Sequence, residues 1–407
     1  MKITVLGGCG AVGSIAVKML AMSGVFSDVL IGDINLAKAQ NLASTLGANV
    51  SAIKVDALNS RSIEEAISGS SVVLNFIGPF YKFGPSVMKA TISSGINYVD
   101  ICDDVDATED LMAMNKQAKD SGVSALIGMG SSPGISNSLV RFCADYLLDD
   151  VESIDIYHAH GGEEEEGPAV IKHRIHSMLM EIPVFLDGRF KKVRLFGKGG
   201  SALEEEVDFP GIGRYRVYAY PHPETITLPK YIKGVKRVTN LGLVLPPSYA
   251  ELIKGIVRLG MTSEEPINIG EKEISPLEFA VFYAISQRER LLKEAGIREP
   301  MGSLKIVVKG KKEGESNTYT FSLSSKGRGM GEGTAIPAAL GAILMSTGQI
   351  GEKGVFPPEG GVNPLNLLKL AKKFVKIGDR SGLPIAIEHI DGRGNIRTTG
   401  IESLAAY

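Results

Sequence analysis

The 407-residue sequence predicts an α/β protein in which a doubly wound parallel sheet carries an inserted, mixed α+β domain. Three observations lead there. Short apolar strands alternate with helical segments from Met1 to about Gly130, and a glycine-rich turn joins the first strand to the first helix. From Val151 the apolar spacing shifts toward two, the period of strands.

In the first region, strands are expected near Ile3–Leu6, Val29–Ile31, Ser51–Val55, Val72–Phe76, Tyr98–Ile101 and Ala125–Ile127. Helices are expected near Val12–Met22, Leu36–Leu46, Ser62–Ile67, Pro85–Ser93 and Ala107–Lys119. Alternation at this spacing requires right-handed crossovers and therefore a parallel sheet covered on both faces. In the second region SIDIYHAH, AVIKHRIHS, RYRVYAY, SLKIVVKG and NTYTFSLSS read as strands. VFLDGRFKKVRLF reads as a hairpin turning at Asp187-Gly188. Pro247–Leu259 and Pro276–Ala295 read as helices, and Gly331–Gly348 as an apolar, small-residue helix.

Composition narrows the class. The formal charge of −2 and a pI near 6.4 do not suggest a nucleic-acid or anionic-membrane partner. No apolar run approaches a membrane span, and MKITVLGG reads as a strand start rather than a signal peptide, so a soluble, cytoplasmic protein is expected. Cys9, Cys102 and Cys143 are odd in number and scattered, which implies neither a disulfide framework nor a zinc knuckle. No metal is expected either. His158/His160 and His173/His176 do not fall into a tight ligand pattern with the acidic run Glu163–Glu166.

The first turn carries the chemistry. Gly8-Cys9-Gly10-Ala11-Val12-Gly13 fits G-x-G-x-x-G between a strand and a helix. Gly8 permits the turn, Gly10 lets a pyrophosphate approach the backbone, and Gly13 allows close helix packing while the helix N-terminus faces the phosphates. Asp33 follows Gly13 by twenty residues at the end of the second strand, where a carboxylate accepts both ribose hydroxyls of NAD. It would repel a 2′-phosphate, so NAD is favoured, with NADP the alternative. The same glycines also match the short-chain reductase turn, but no tyrosine here has a lysine four residues on. Asp56-Ala57 closes the third strand at the adenine edge, and Phe76, Ile77, Gly78 and Pro79 follow the fourth, at the nicotinamide half. The fifth strand ends in YVDICDD, gathering Asp100, Asp103 and Asp104 at the carboxyl edge of the sheet. The stretch GMGSSPGISN (128–137) then forms a joint of small residues before a helix.

VLGGCGAVG, IGD, KVDA, NFIGPF, NYVDICD, the GMGSSPGISN joint and a late GVFPPE together resemble the saccharopine dehydrogenase-like oxidoreductases, including the L-lysine 6-dehydrogenases. The resemblance is dense to about residue 145 and looser beyond. It implies that the joint, with Ser132, Pro133 and Gly134, faces the nicotinamide and substrate where two domains meet. It also implies that the chain returns to the nucleotide domain near its end, giving residues 1–133, 134–328 and 329–407 as nucleotide domain, substrate domain and return segment. Relatives carry an aromatic-serine pair where this chain has His176-Ser177, and a Thr-x-Arg-x-x-Gly-His stretch where it has RVTNLG (Arg237–Gly242). Those departures bear on the substrate rather than on the cofactor.

The implied chemistry is hydride transfer between nicotinamide and a carbon bearing nitrogen. Asp100 and then His176 are the expected proton-handling groups, Asp103 and Ser177 the expected substrate contacts, and Arg174 and Arg216 the expected partners of substrate carboxylates. The substrate would be an amino acid of the saccharopine or L-lysine type, or alternatively a carboxy-polyamine of the carboxynorspermidine type. A catalytically idle NAD-binding redox sensor is the contrasting reading. Exposed sheet edges in the second domain suggest a homodimer.

Overall fold

The structure, a computed structural model, describes residues 1–162, 166–327, 330–377 and 380–401. The first region runs β1 (Lys2–Leu6), α1 (Gly13–Met22), β2 (Asp28–Asp33), α2 (Leu36–Ser44), β3 (Val50–Lys54), α3 (Ser60–Ile67), β4 (Val72–Asn75), α4 (Phe80–Ser93), β5 (Asn97–Asp100), α5 (Val105–Ala113), α6 (Asn115–Asp120) and β6 (Ser124–Leu126). These strands form a parallel sheet ordered β3-β2-β1-β4-β5-β6, so the order reverses between β1 and β4. That reversal opens a crevice at the carboxyl edge, the usual ligand position of a doubly wound sheet. The helices form because their apolar residues recur on one face. On α1, Ala16, Val17 and Leu20 are fully buried, and Val17 and Leu20 each contribute roughly 1.5–3 kcal/mol of burial.

After α7 (Ile135–Phe142), a single π turn and β7 (Asp150–Gly161), the second region begins with α8 (Pro168–Leu179), β8 (Glu181–Leu186), β9 (Arg189–Arg194), α9 (Lys198–Ser201), β10 (Glu205–Phe209) and β11 (Gly213–Ala219). It continues through α10 (Glu224–Tyr231), β12 (Arg237–Leu245), α11 (Pro247–Arg258), β13 (Ile267–Ile269), β14 (Lys272–Ile274), α12 (Pro276–Glu294), β15 (Met301–Lys312) and β16 (Glu315–Lys326). The large sheet is mixed: β12 and β7 pair in parallel, and the other neighbours are antiparallel. The β8–β9 hairpin turns at Asp187-Gly188 as expected.

One element departs from the sequence reading. AVIKHRIHS is not a strand but part of α8. The buried apolar residues of α8 are Ile171, Ile175 and Met178, spaced four and three apart, which is the stripe of a helix rather than the alternation of a strand.

The chain then returns as α13 (Met330–Ser346), β17 (Gly354–Phe356), α14 (Pro358–Gly361) and α15 (Pro364–Phe374). β17 joins the edge of the parallel sheet beside β6. Small residues let α13 lie flat on that sheet, with Ala335, Ala338, Ala339 and Ala342 fully buried. A Cβ on Gly341 would stand 2.8 Å from the Met129 side chain, so the approach itself requires glycine. The return is not complete. After a short β18–β19 turn (Lys376–Ile377 and Arg380–Ser381), β20 (Ile385–Ile390) pairs onto β16 and β21 (Ile396–Gly400) onto β20, extending the second sheet. The expected 329–407 return segment therefore divides between the two sheets. The junction at 328/329 lies outside the described residues, as does most of the acidic run, at 163–165.

Candidate active site

The nucleotide loop leaves β1 through Gly7, whose φ of +70° is glycine territory. A Cβ on Gly13 would stand 2.4 Å from the Gly7 carbonyl, so α1 packs against its own loop only because that Cβ is missing. No side chain caps the N-terminus of α1; the Ser14, Ile15 and Ala16 amides donate to the Gly10 and Val12 carbonyls, which leaves the amides of Ala11, Val12 and Gly13 for an anion. Asp33 is fixed beside them: its Oδ2 accepts from the Cys9 amide at 3.2 Å and its Oδ1 from the Asn35 amide at 3.0 Å. A dinucleotide fits this arrangement. Its pyrophosphate would meet the α1 amides and its ribose hydroxyls would meet Asp33, with Asp56 and Ala57 at the neighbouring strand end. Burial and the adjacent Asp33 carboxylate push the Cys9 thiol up to about 12, so it is an inert packing group rather than a nucleophile.

From Ala11 a cavity of about 670 Å³ runs between the two sheets. Phe76, Gly78, Pro79 and Ser132 line it, whereas Ile77 and Pro133 support the wall from behind. The Ile77 amide donates to Asn75 Oδ1, and the Pro133 carbonyl accepts from the Gly130 amide. Gly134, with φ +130°, turns the joint so tightly that a Cβ would lie 1.9 Å from the Gly130 carbonyl oxygen.

Neither of the expected proton-handling groups, Asp100 and His176, lines the cavity. Asp100 is fully buried and does not line the cavity. Its Oδ1 accepts from the amides of Cys102 and Gly128, at 3.0 and 2.7 Å, so it ties the end of β5 to the joint. Burial raises its pKa to about 6 despite those amides and the Tyr98 hydroxyl. His176 sits outside the cavity, stacked on Tyr81 at 4.6 Å and 3.3 Å from Asp106. One turn along α8 from His173, its ring is held instead by Tyr81 of α4 and Asp106 of α5. Ser177 lies just behind the wall, its hydroxyl bonded to the His173 carbonyl. Arg216 is 69% exposed on β11 and pairs with Glu206, remote from any cavity.

Other groups take those places. Asp103 and Asp104 line the cavity floor, and Asp104 Oδ1 meets His173 Nδ1 at 2.9 Å. Burial alone would depress His173, but Asp103 and Asp104 outweigh it and hold its pKa up to about 9. Oxygen and nitrogen atoms of these three residues lie within 4.8 Å of one another, close enough to hold a metal ion. The proton on His173 already neutralises one of the carboxylates. Arg174, next along α8, makes a bidentate pair with Glu166 at 2.5 and 2.6 Å, and Arg288 approaches the same carboxylate at 3.3 Å. Of these three groups Arg174 lines the cavity, and Glu166 fixes its guanidinium there.

Sequence reasoning passed over His222 and Glu224. His222 lines the cavity, and its Nδ1 meets Glu224 Oε2 at 2.7 Å. The other Glu224 oxygen accepts from the hydroxyls of Ser132 and Ser136, in the joint. The available signal was His-Pro-Glu immediately before a helix, a spacing that lets both side chains turn inward. His158 and His160 follow on the β7 wall, the first lying over Gly242, where a Cβ would stand 2.0 Å from its ring. Burial pushes both well below the usual histidine range, so they are neutral.

Comparison with known proteins accords with this architecture. Residues 3–126 match the saccharopine dehydrogenase NADP binding domain, and residues 130–379 match the saccharopine dehydrogenase C-terminal domain. The carboxyaminopropylagmatine dehydrogenase of Synechocystis sp. is 23% identical, covering 86% of this chain and 91% of that protein. The carboxynorspermidine synthase of Vibrio cholerae is also 23% identical, covering 86% and 90%. Among solved structures, apo saccharopine dehydrogenase (L-Glu forming) from Saccharomyces cerevisiae superposes with a TM-score of 0.68 over 98% of this chain and 99% of its own, at 18% identity. No helix among the described residues is long and apolar enough to cross a membrane. With both domain models matched in order and a nucleotide cradle opening onto a cavity between the sheets, the chain belongs to the saccharopine dehydrogenase family of NAD(P)-dependent oxidoreductases.

Proposed function

We propose that the protein transfers hydride between NAD and the carbon of a CH–NH group in an amino acid joined to a cationic amine, the carboxy-polyamine class, with saccharopine-type amino acids as the neighbouring class. One observation carries the reading: the cavity is lined by groups of both signs, the carboxylates of Asp103 and Asp104 and the guanidinium of Arg174, together with Ser132 of the joint. An ammonium group suits the carboxylates and a substrate carboxylate suits the guanidinium. The names of the two 23%-identical relatives point the same way.

When bound, the nicotinamide supplies the hydride acceptor or donor. The residues of this chain do the rest. Ser132, Gly134 and Pro79 keep the reacting region narrow, Asp103 holds the cationic nitrogen, and the apolar walls exclude water. Asp33 selects NAD over NADP.

The test is NADH and NADPH absorbance across a panel of amino acids, saccharopine, carboxy-polyamines, and free polyamines paired with amino-acid semialdehydes, run in both directions. Turnover of a carboxy-polyamine with NAD is expected. Turnover of alcohols alone rejects the amine chemistry, and cofactor binding with no turnover of any panel member favours the idle binder.

A further inference from the structure

We propose that His222 is the catalytic residue that exchanges the proton of the reacting nitrogen, and that Glu224 is the positioning residue that holds it. This assignment rests on the amine chemistry proposed above.

Elimination among the six histidines carries the first half. His389 stacks on Tyr319 in the second sheet and bonds Asn317 at 2.7 Å, and His176 lies outside the cavity. His158 and His160 line the cavity but are held neutral by burial, so neither retains a proton near neutrality. His173 has the opposite defect. Its Nδ1 is paired with Asp104 and its Nε2 lies 3.5 Å from the Ser177 hydroxyl, so its proton is locked in an ion pair. His222, on the cavity wall, has its Nδ1 on a buried carboxylate that also binds the joint, which leaves Nε2 for exchange.

The second half is the fixing of Glu224. It is fully buried, one oxygen on His222 and the other on the hydroxyls of Ser132 and Ser136. Burial works against its charge, but His222 and the serines keep it ionised, with a pKa down to about 2. The carboxylate therefore favours a proton on Nδ1, so that it is Nε2 that carries the lone pair when the ring is neutral. The groups facing His222 are Glu224 from α10, Asp103 from the turn after β5, His173 from α8, His158 from β7 and Tyr220 just after β11. Burial opposes its charging, but Glu224 and Asp103 prevail and raise its pKa above the usual histidine value.

The step is a proton transfer. An N–H bond of the substrate ammonium breaks, an Nε2–H bond forms, and the imidazolium is neutralised by Glu224. The nitrogen then holds the lone pair that must support hydride loss from the adjacent carbon. Because Glu224 also binds the joint, the same carboxylate aligns the base with the floor of the cofactor crevice.

The assay is amine oxidation as a function of pH with the full-length protein, alongside NADH binding by fluorescence and the thermal midpoint. His222→Gln is expected to lower kcat at neutral pH by roughly 10²–10⁴-fold, leaving NADH binding unchanged. Its deficit should shrink as pH rises past the pKa of the substrate amine, where no base is needed. Glu224→Gln should lower kcat by at least tenfold and move the acidic limb of the profile. Added imidazole should restore part of the activity of His222→Ala. A His222→Gln variant that folds and keeps the parent kcat at neutral pH overturns the assignment, and so does a deficit that is equal at every pH. If the variants do not fold, the parent decides: a kcat profile with no acidic limb between about pH 5 and 9 overturns it. If no amine is oxidised by the parent although NADH binds, the failure belongs to the proposed function.

Discussion

Replacing Asp33 by serine perturbs the point at which cofactor identity is decided. Each carboxylate oxygen already accepts one backbone amide, from Cys9 and from Asn35, at 3.2 and 3.0 Å. Each keeps a further lone pair for a ribose hydroxyl. Two charge-assisted hydrogen bonds, at about 1.5 kcal/mol each, amount to about 3 kcal/mol, or roughly a hundredfold in NAD affinity. A 2′-phosphate in place of the hydroxyl would lie near the carboxylate. Two like charges about 4 Å apart at an effective dielectric of about 20 repel by roughly 4 kcal/mol. Asp33→Ser should therefore weaken NADH by ten- to a hundredfold and strengthen NADPH, moving the preference ratio by at least about two decades. Nicotinamide fluorescence titration of both cofactors against both proteins reads the ratio directly. Loss of the Cys9 and Asn35 ties weakens both cofactors together, so the ratio is the diagnostic quantity. Equal NADH and NADPH affinities in the unmodified protein refute the reasoning, as does a ratio unmoved by the substitution.

Gly134→Val places a branched side chain at φ +130° against the Gly130 carbonyl. It is expected to cost at least about 3 kcal/mol of stability and to abolish turnover, read by thermal unfolding and NADH absorbance. An active variant would make the joint a mere connector. Asp100→Asn keeps the acceptor oxygen for the Cys102 and Gly128 amides and removes a carboxyl raised to about 6 by burial. Turnover should be nearly unchanged, and a large loss would return Asp100 to the reacting centre. Glu359 is buried beside Asn137, and burial raises its pKa from 4.5 to about 7. Between those values the folded state holds a proton that the unfolded state has lost, so this group erodes stability as pH rises from about 4.5 to 7, by about 3 kcal/mol in all. Glu359→Gln should flatten that part of the stability profile in denaturant titrations, and an unchanged slope would contradict the assignment.

The sequence by itself determined what rests on local repetition and short spacing. The strand–helix alternation to Leu126, the G-x-G-x-x-G turn with Asp33 and the Asp187-Gly188 hairpin are periodicities and turn chemistries that a chain carries wherever it folds. Even so, a short segment with charged residues between its apolar ones defeated the period. Ile171, Ile175 and Met178 form a helical stripe that the intervening Lys, Arg and His residues made look like alternation, and His176 was misplaced with it. What only the tertiary structure decided is the charge pattern of the cavity. Arg288 meets Glu166, Ser132 and Ser136 meet Glu224, and Asn137 meets Glu359, all pairs separated by long stretches of chain. No local spacing records such meetings, because they arise where two sheets close on one another. Burial then fixes the chemistry: it neutralises His158, leaves His173 charged only because two carboxylates adjoin it, and makes Asp100 a structural tie. In water His158 and His173 would titrate alike, and it is the low-dielectric space between the domains that assigns them different work.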